Sequence, residues 1–173
     1  PSMRSSRILA HSVEELEAES AMSDVELTPV RDAHKFDEPA LEQYLQTHVE
    51  GFHGPMEIKQ FEGGQSNPTF QLITPNQRYV LRKQPPGELL PSAHQVDREY
   101  RVMDGLWNTE VPVPKMFCLC EDASVIGTKF YVMEMVEGRL FTETRLPDVS
   151  NNDRRAIYLD LARVMAKLHS VDP

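Results

Sequence analysis

The order of predicted elements, β-β-β-α-β-β-α, makes this an α+β chain built on a five-stranded antiparallel sheet with one helix inserted and another following. Three observations carry that expectation. Alternating apolar segments fall at 56–61, 69–74 and 79–81, separated by turn residues. A stretch around Glu99 repeats apolar residues with helical spacing. Two further alternating segments, at 115–119 and 128–134, then precede a capped apolar helix.

The bulk numbers bound the rest. A length of 173 residues holds one domain of ordinary size. With 40% hydrophobic and 26% charged residues the chain reads as soluble and globular, and no apolar run approaches the roughly 20 residues of a membrane span. A formal charge of -9 works against non-specific nucleic-acid binding, although a nucleotide pocket needs only local positive charge. Cys118 and Cys120 lie on one face of a predicted strand, too close in sequence to favour a disulfide and too few for a zinc site, which points to a reducing intracellular compartment. The chain starts at Pro1 rather than Met and stops at Pro173 just after a predicted helix, so it reads as part of something longer.

Residues 1–35 are poor in large apolar side chains and carry the acidic cluster Glu14, Glu15, Glu17, Glu19, Asp24 and Glu26, which predicts a mostly disordered leader or linker. Arg4 and Arg7 near serines have the look of a transit peptide, but the acids that follow fit it poorly. From Phe36 the texture changes. Asp37 is placed to cap a helix through Pro39, Leu41, Tyr44, Leu45 and His48, ended by Gly51 and Gly54. Three antiparallel strands follow, with a Pro75-Asn76 turn between the second and third. In the next helix Val96, Met103 and Leu106 stand three, four and seven residues from Glu99, so Glu99 points inward. Val111-Pro112-Val113-Pro114 is an extended connector, residues 122–127 are a turn, and Ser150-Asn151-Asn152-Asp153 starts a helix whose stripe is Ile157, Leu161, Val164, Met165 and Leu168. There are no internal repeats.

Chemistry concentrates in three places. An inward carboxylate needs a cation, and Arg82 and Lys83 at the end of the preceding strand are the candidates. Their alternation sends them to opposite faces. Arg82 shares a face with Val80 and is the partner of Glu99 if Val80 covers a ligand, leaving Lys83 as a solvated surface charge. Such a strand-cation and helix-glutamate pair either fixes a nucleotide's phosphates, as in kinases, or is a structural salt bridge. The turn Glu62-Gly63-Gly64-Gln65-Ser66-Asn67 lets a backbone approach a ligand, and Ser66 and Asn67 side chains are placed to cradle phosphate oxygens; a plain hairpin turn is the alternative. Met133-Glu134-Met135-Val136-Glu137-Gly138 is a strand running into a glycine-ended linker, where the Glu134 carbonyl and the Val136 N–H would read an adenine edge; the alternative is a sheet strand with packing methionines. The six histidines lack metal-ligand spacing and read as surface or capping residues, and no Gly-x-Ser-x-Gly elbow is present.

Taken in order, the glycine turn, Arg82, Glu99, Val111-Pro112-Val113-Pro114, the linker from Met133 and Leu168-His169-Ser170-Val171-Asp172 resemble the amino-terminal part of an aminoglycoside phosphotransferase-like kinase domain, from Phe36 onward. Gly64-Gln65-Ser66-Asn67-Pro68-Thr69-Phe70, Val80-Leu81-Arg82-Lys83-Gln84-Pro85-Pro86-Gly87, Leu90-Pro91-Ser92-Ala93-His94 and Val125-Ile126-Gly127-Thr128-Lys129-Phe130-Tyr131-Val132-Met133-Glu134 are similar to the kinase-like region that precedes the dehydrogenase part in acyl-CoA dehydrogenase family members ten and eleven. His34-Lys35-Phe36-Asp37 leans toward member eleven.

The resemblance implies a protein-kinase-like N-lobe over residues 36–137, with the hinge exit and first helix of an incomplete C-lobe over 138–173. It implies ATP with Mg²⁺ as ligand, held by Gly63, Gly64, Gln65, Ser66, Asn67, Val80, Arg82, Glu99, Met133, Glu134 and Val136. Arg82 stands where most protein kinases carry lysine and would hold phosphate bidentately. The family's His-Gly-Asp base, its following Asn and its metal-binding Asp have no counterpart here and would lie beyond Pro173, so the chain carries no catalytic residue of its own. The implied reaction is phosphoryl transfer to a small-molecule hydroxyl, on a hydroxyacyl substrate if the dehydrogenase fusion holds, with FAD involved only if a dehydrogenase part follows. The implied location is a mitochondrion or peroxisome. A non-catalytic kinase-fold interaction or regulatory module is the alternative.

Overall fold

The computed structural model describes residues 26–62, 67–87, 90, 93–139, 141 and 143–172. Strands β1 (Leu27–Thr28), β2 (Glu57–Phe61), β3 (Thr69–Ile73), β4 (Arg78–Lys83), β5 (Met116–Cys120) and β6 (Phe130–Glu134) form one sheet in the order β1-β2-β3-β4-β6-β5, every pair antiparallel. Helices α1 (Glu38–His48) and α2 (Val96–Leu106) lie on opposite faces of the sheet, and α3 (Asn151–His169) follows.

The α+β antiparallel architecture is the predicted one, with two corrections. The sheet has six strands rather than five, because Leu27 and Thr28 pair with Phe61 and Gln60. Residues from Glu26 on, expected to belong to the leader over residues 1–35, are therefore tied to the sheet. Glu62 N–H donates to the Glu26 carbonyl, Gln60 Oε1 accepts from Arg31 N–H, and Val30 packs against the core. A two-residue edge strand is too short for a period-2 signal. Residues 1–25 lie outside the described residues.

Capping chemistry starts both ends of the chain's helical pattern as the sequence predicts. The Asp37 carboxylate accepts from Ala40 N–H at 2.9 Å, with Pro39 in the first turn. Ser150 Oγ likewise accepts from Asp153 N–H at 3.2 Å. α1 buries Leu41 and Leu45 against Phe70, Leu72, Tyr79, Leu81, Phe130 and Val132, the larger of two apolar clusters. Each such fully buried aliphatic side chain contributes about 1.5–3 kcal/mol. On the other face, Val96 of α2 packs with Met116 and Tyr131, joined by Tyr100, Met103, Leu119 and Met133. A bulge in β5 between Met116 and Cys118 explains why Met116 serves the α2 face while Cys118 and Cys120 serve the α1 face. The turn before β6 closes with Gly127 at φ +85°, a conformation that favours glycine.

No helix of the described residues is long and apolar enough to cross a membrane. α3 buries none of its residues, and Leu161, Met165 and Leu168 of its predicted apolar stripe are about half exposed.

Candidate functional site

Antiparallel register places side chains in rows across a sheet. On the α2 face, Thr69 of β3 stands opposite Arg82 of β4, which stands opposite Tyr131 of β6. The next row is Gln71, Val80 and Met133. Glu99 enters the first row from α2. Its Oε2 accepts from Arg82 Nε at 2.8 Å and from the Tyr131 hydroxyl at 3.0 Å, and its Oε1 accepts from Asn67 Nδ2 at 3.0 Å. Four of the predicted site residues, Val80, Arg82, Glu99 and Met133, thus share one face.

The Arg82–Glu99 pair is half-buried, its side chains 29% and 34% exposed. Arg82 also donates Nη1–H to Thr69 Oγ1 at 3.3 Å. Two of its nitrogens are therefore fixed by protein, while Nη2 has no partner among the described residues. A guanidinium oriented at two points with a third donor uncommitted suits the capture of an anionic oxygen. Burial and the Glu99 carboxylate push the Tyr131 phenol well above its ordinary pKa, so it remains a neutral donor to Glu99.

Lys83 corrects the sequence reading. Rather than a solvated surface charge, it is 2% exposed, with Nζ 5.7 Å from the centre of the Phe36 ring. β4 is a central strand, and the face to which Lys83 points is the one α1 and Phe36 cover. Burial pushes the Lys83 ammonium below its ordinary pKa.

Asn67 reaches the site by a different route from the one predicted. Its carboxamide is 3% exposed and engaged at both ends, with Nδ2 on Glu99 and Oδ1 2.9 Å from His94 Nδ1. It braces the ion pair. Gly63, Gly64, Gln65 and Ser66 lie outside the described residues.

Beyond β6, Glu134 is tied to the start of β5. Its N–H donates to the Lys115 carbonyl at 2.8 Å and its carboxylate accepts from Lys115 N–H at 3.0 Å. Arg78 pairs with Glu137, which holds the chain leaving the sheet. Val136, between them, is 63% exposed, and its N–H has no backbone partner among the described residues.

Thr69, Gln71, Tyr131 and His94 were missed. The first three were legible in principle, since once Arg82 is taken as inward, strand pairing puts them beside it. His94 had no such signal. Among the described residues no group of three or more His, Cys, Asp and Glu is placed to hold a metal ion.

The profile of the phosphotransferase enzyme family matches residues 57–173. Human acyl-CoA dehydrogenase family member 11 is 47% identical over 156 residues, which cover 88% of this chain and 20% of that protein. Mouse acyl-CoA dehydrogenase family member 10 is 47% identical over 146 residues, covering 83% of this chain and 14% of that protein. The chain thus spans about one fifth or less of the length of these relatives. A crystal structure of a candidate aminoglycoside phosphotransferase from Ralstonia eutropha superposes with a TM-score of 0.69 at 51% identity, over 80% of this chain and 39% of that one. With its antiparallel sheet, its strand-cation and helix-glutamate pair and a profile match over most of its length, the chain belongs to the phosphotransferase enzyme family.

Proposed function

We propose that this chain is the ATP-binding portion of a small-molecule phosphotransferase. The observation that carries the reading is the placement of Arg82, oriented by Glu99 and Thr69, on the same sheet face as Val80. In this reading Arg82 Nη2 binds phosphate oxygens and Val80 and Met133 cover the base. The Glu134 carbonyl and the exposed Val136 N–H read the base edge. ATP, when bound, supplies the transferable phosphoryl group.

Among the described residues no group of three or more His, Cys, Asp and Glu is placed to hold Mg²⁺. No catalytic step is assigned to this chain. The acceptor is a small-molecule hydroxyl. The relatives are named acyl-CoA dehydrogenase family members, and in this reading the acceptor is a hydroxyacyl compound in fatty-acid metabolism, with FAD relevant only to an attached dehydrogenase part. Two free, buried cysteines suit a reducing compartment inside the cell, of which a mitochondrion or peroxisome fits that metabolism.

Calorimetric titration of the folded chain with Mg-ATP, with Mg-GTP in parallel, tests the reading. Saturable one-site binding of ATP supports it. A folded chain that binds neither nucleotide moves the account to a non-catalytic module that keeps the fold for interaction or regulation.

A further inference from the structure

His94 precedes α2 in a conformation that costs a non-glycine residue something, φ +56°. Its carbonyl is held twice, by Val96 N–H at 2.9 Å and by Gln84 Nε2 at 3.0 Å. Backbone and side chain together therefore fix the imidazole, whose Nδ1 lies 2.9 Å from Asn67 Oδ1.

The direction of that bond follows from its neighbours. The Glu99 carboxylate only accepts, so the Asn67 atom 3.0 Å from it is the amide nitrogen. The Asn67 atom facing His94 is then the carbonyl oxygen, and His94 Nδ1 must carry the proton that bridges them. Asn67 acts on the ion pair twice. Its carboxamide holds Glu99, and its backbone carbonyl accepts from Thr69 Oγ1 at 3.1 Å, the hydroxyl that receives Arg82 Nη1–H. A single residue, 3% exposed, therefore touches the partner of each end of Arg82, and His94 is what sets its carboxamide.

We propose that His94 is a positioning residue of the nucleotide site, which by donating Nδ1–H to Asn67 locks the carboxamide that orients Glu99 and thereby aims Arg82. This deepens the ATP-site reading and rests on it for the ligand alone. The geometry of the relay stands or falls without nucleotide. In an imidazole-to-carboxamide relay of this kind the donor is what matters. Glutamine at position 94 can supply an N–H, whereas alanine cannot.

Nitrogen NMR of the ¹⁵N-labelled chain, free of nucleotide, tests it. The neutral ring is expected as the Nδ1–H tautomer, and an Nε2–H tautomer overturns the proposal in the wild-type chain without any variant. His94→Ala is expected to speed hydrogen exchange at Arg82 Nε–H at least tenfold while backbone amides of β4 keep their protection. His94→Gln is expected to recover most of that loss. Unchanged exchange at Arg82 in His94→Ala, or a loss that His94→Gln does not lessen, overturns the proposal. Should His94→Ala fail to fold, the tautomer together with His94→Gln decides it. Mg-ATP titration of the same variants reports on the ligand separately: absence of binding in the wild type defeats the nucleotide reading, while the tautomer and the exchange rates still decide the relay.

Discussion

Arg82 and Tyr131 face each other across the β4–β6 pairing and both donate to the same oxygen of Glu99, at 2.8 and 3.0 Å. A carboxylate oxygen shared by a guanidinium and a phenol is fixed in position more firmly than either donor alone would fix it. The helix that carries Glu99 is thereby stitched to the neighbouring strands β4 and β6, at the point where the second row of Gln71, Val80 and Met133 begins.

Tyr131→Phe removes one of those donors and nothing of the ring's packing. Because Glu99 is about one-third exposed, water replaces part of the loss, and the variant is expected to lose about 0.5–1 kcal/mol in urea unfolding. A variant as stable as wild type would show that the phenol contributes nothing to holding Glu99.

Lys83→Met is expected to stabilise the fold by about 1 kcal/mol at neutral pH, because a buried ammonium without an ion-pair partner among the described residues gives way to an apolar side chain of similar volume. The folded pKa of Lys83 lies below its unfolded value, so the unfolded chain binds more protons between the two. The penalty is full below the folded pKa and fades as pH rises toward 10.5. The advantage of the variant therefore shrinks as urea titrations are moved from pH 7 toward that value. An advantage that grows with pH would contradict the account.

The Cys118 thiol is pushed up to about 12, mainly by burial and then by the charge of Cys120. A raised folded pKa contributes stability that is fully present below the ordinary thiol value near 9 and is lost above it, as the unfolded thiol ionises more readily. In thermal melts between pH 8 and 10, the Tm of wild type is expected to fall more steeply than that of Cys118→Val. Parallel slopes would mean that Cys118 does not sense its burial.

Which parts of this molecule could be read from the chain follows from how each signal is encoded. Alternation located β2 to β6, and the Asp37 and Ser150 caps located the starts of α1 and α3, because each of these is written in contiguous residues. Glu99 was legible as inward from helical spacing, and Arg82 as its partner from the face it shares with Val80. β1 was not, since two residues carry no period and pair only because β2 offers an edge. Lys83 was misread for a related reason: alternation gives opposite faces but not which face is covered, and here Phe36 and α1 cover it. His94 was hidden because its role depends on a loop conformation and a partner 27 residues away.

The central claim is that the Arg82–Glu99 pair is there to hold nucleotide phosphates. Its most direct test is to measure, in Arg82→Ala, both unfolding stability and calorimetric affinity for Mg-ATP. The account predicts a folded variant whose affinity falls at least tenfold, about 1.4 kcal/mol. A variant that loses stability yet binds Mg-ATP as tightly as wild type would contradict it, and would make the pair a structural salt bridge.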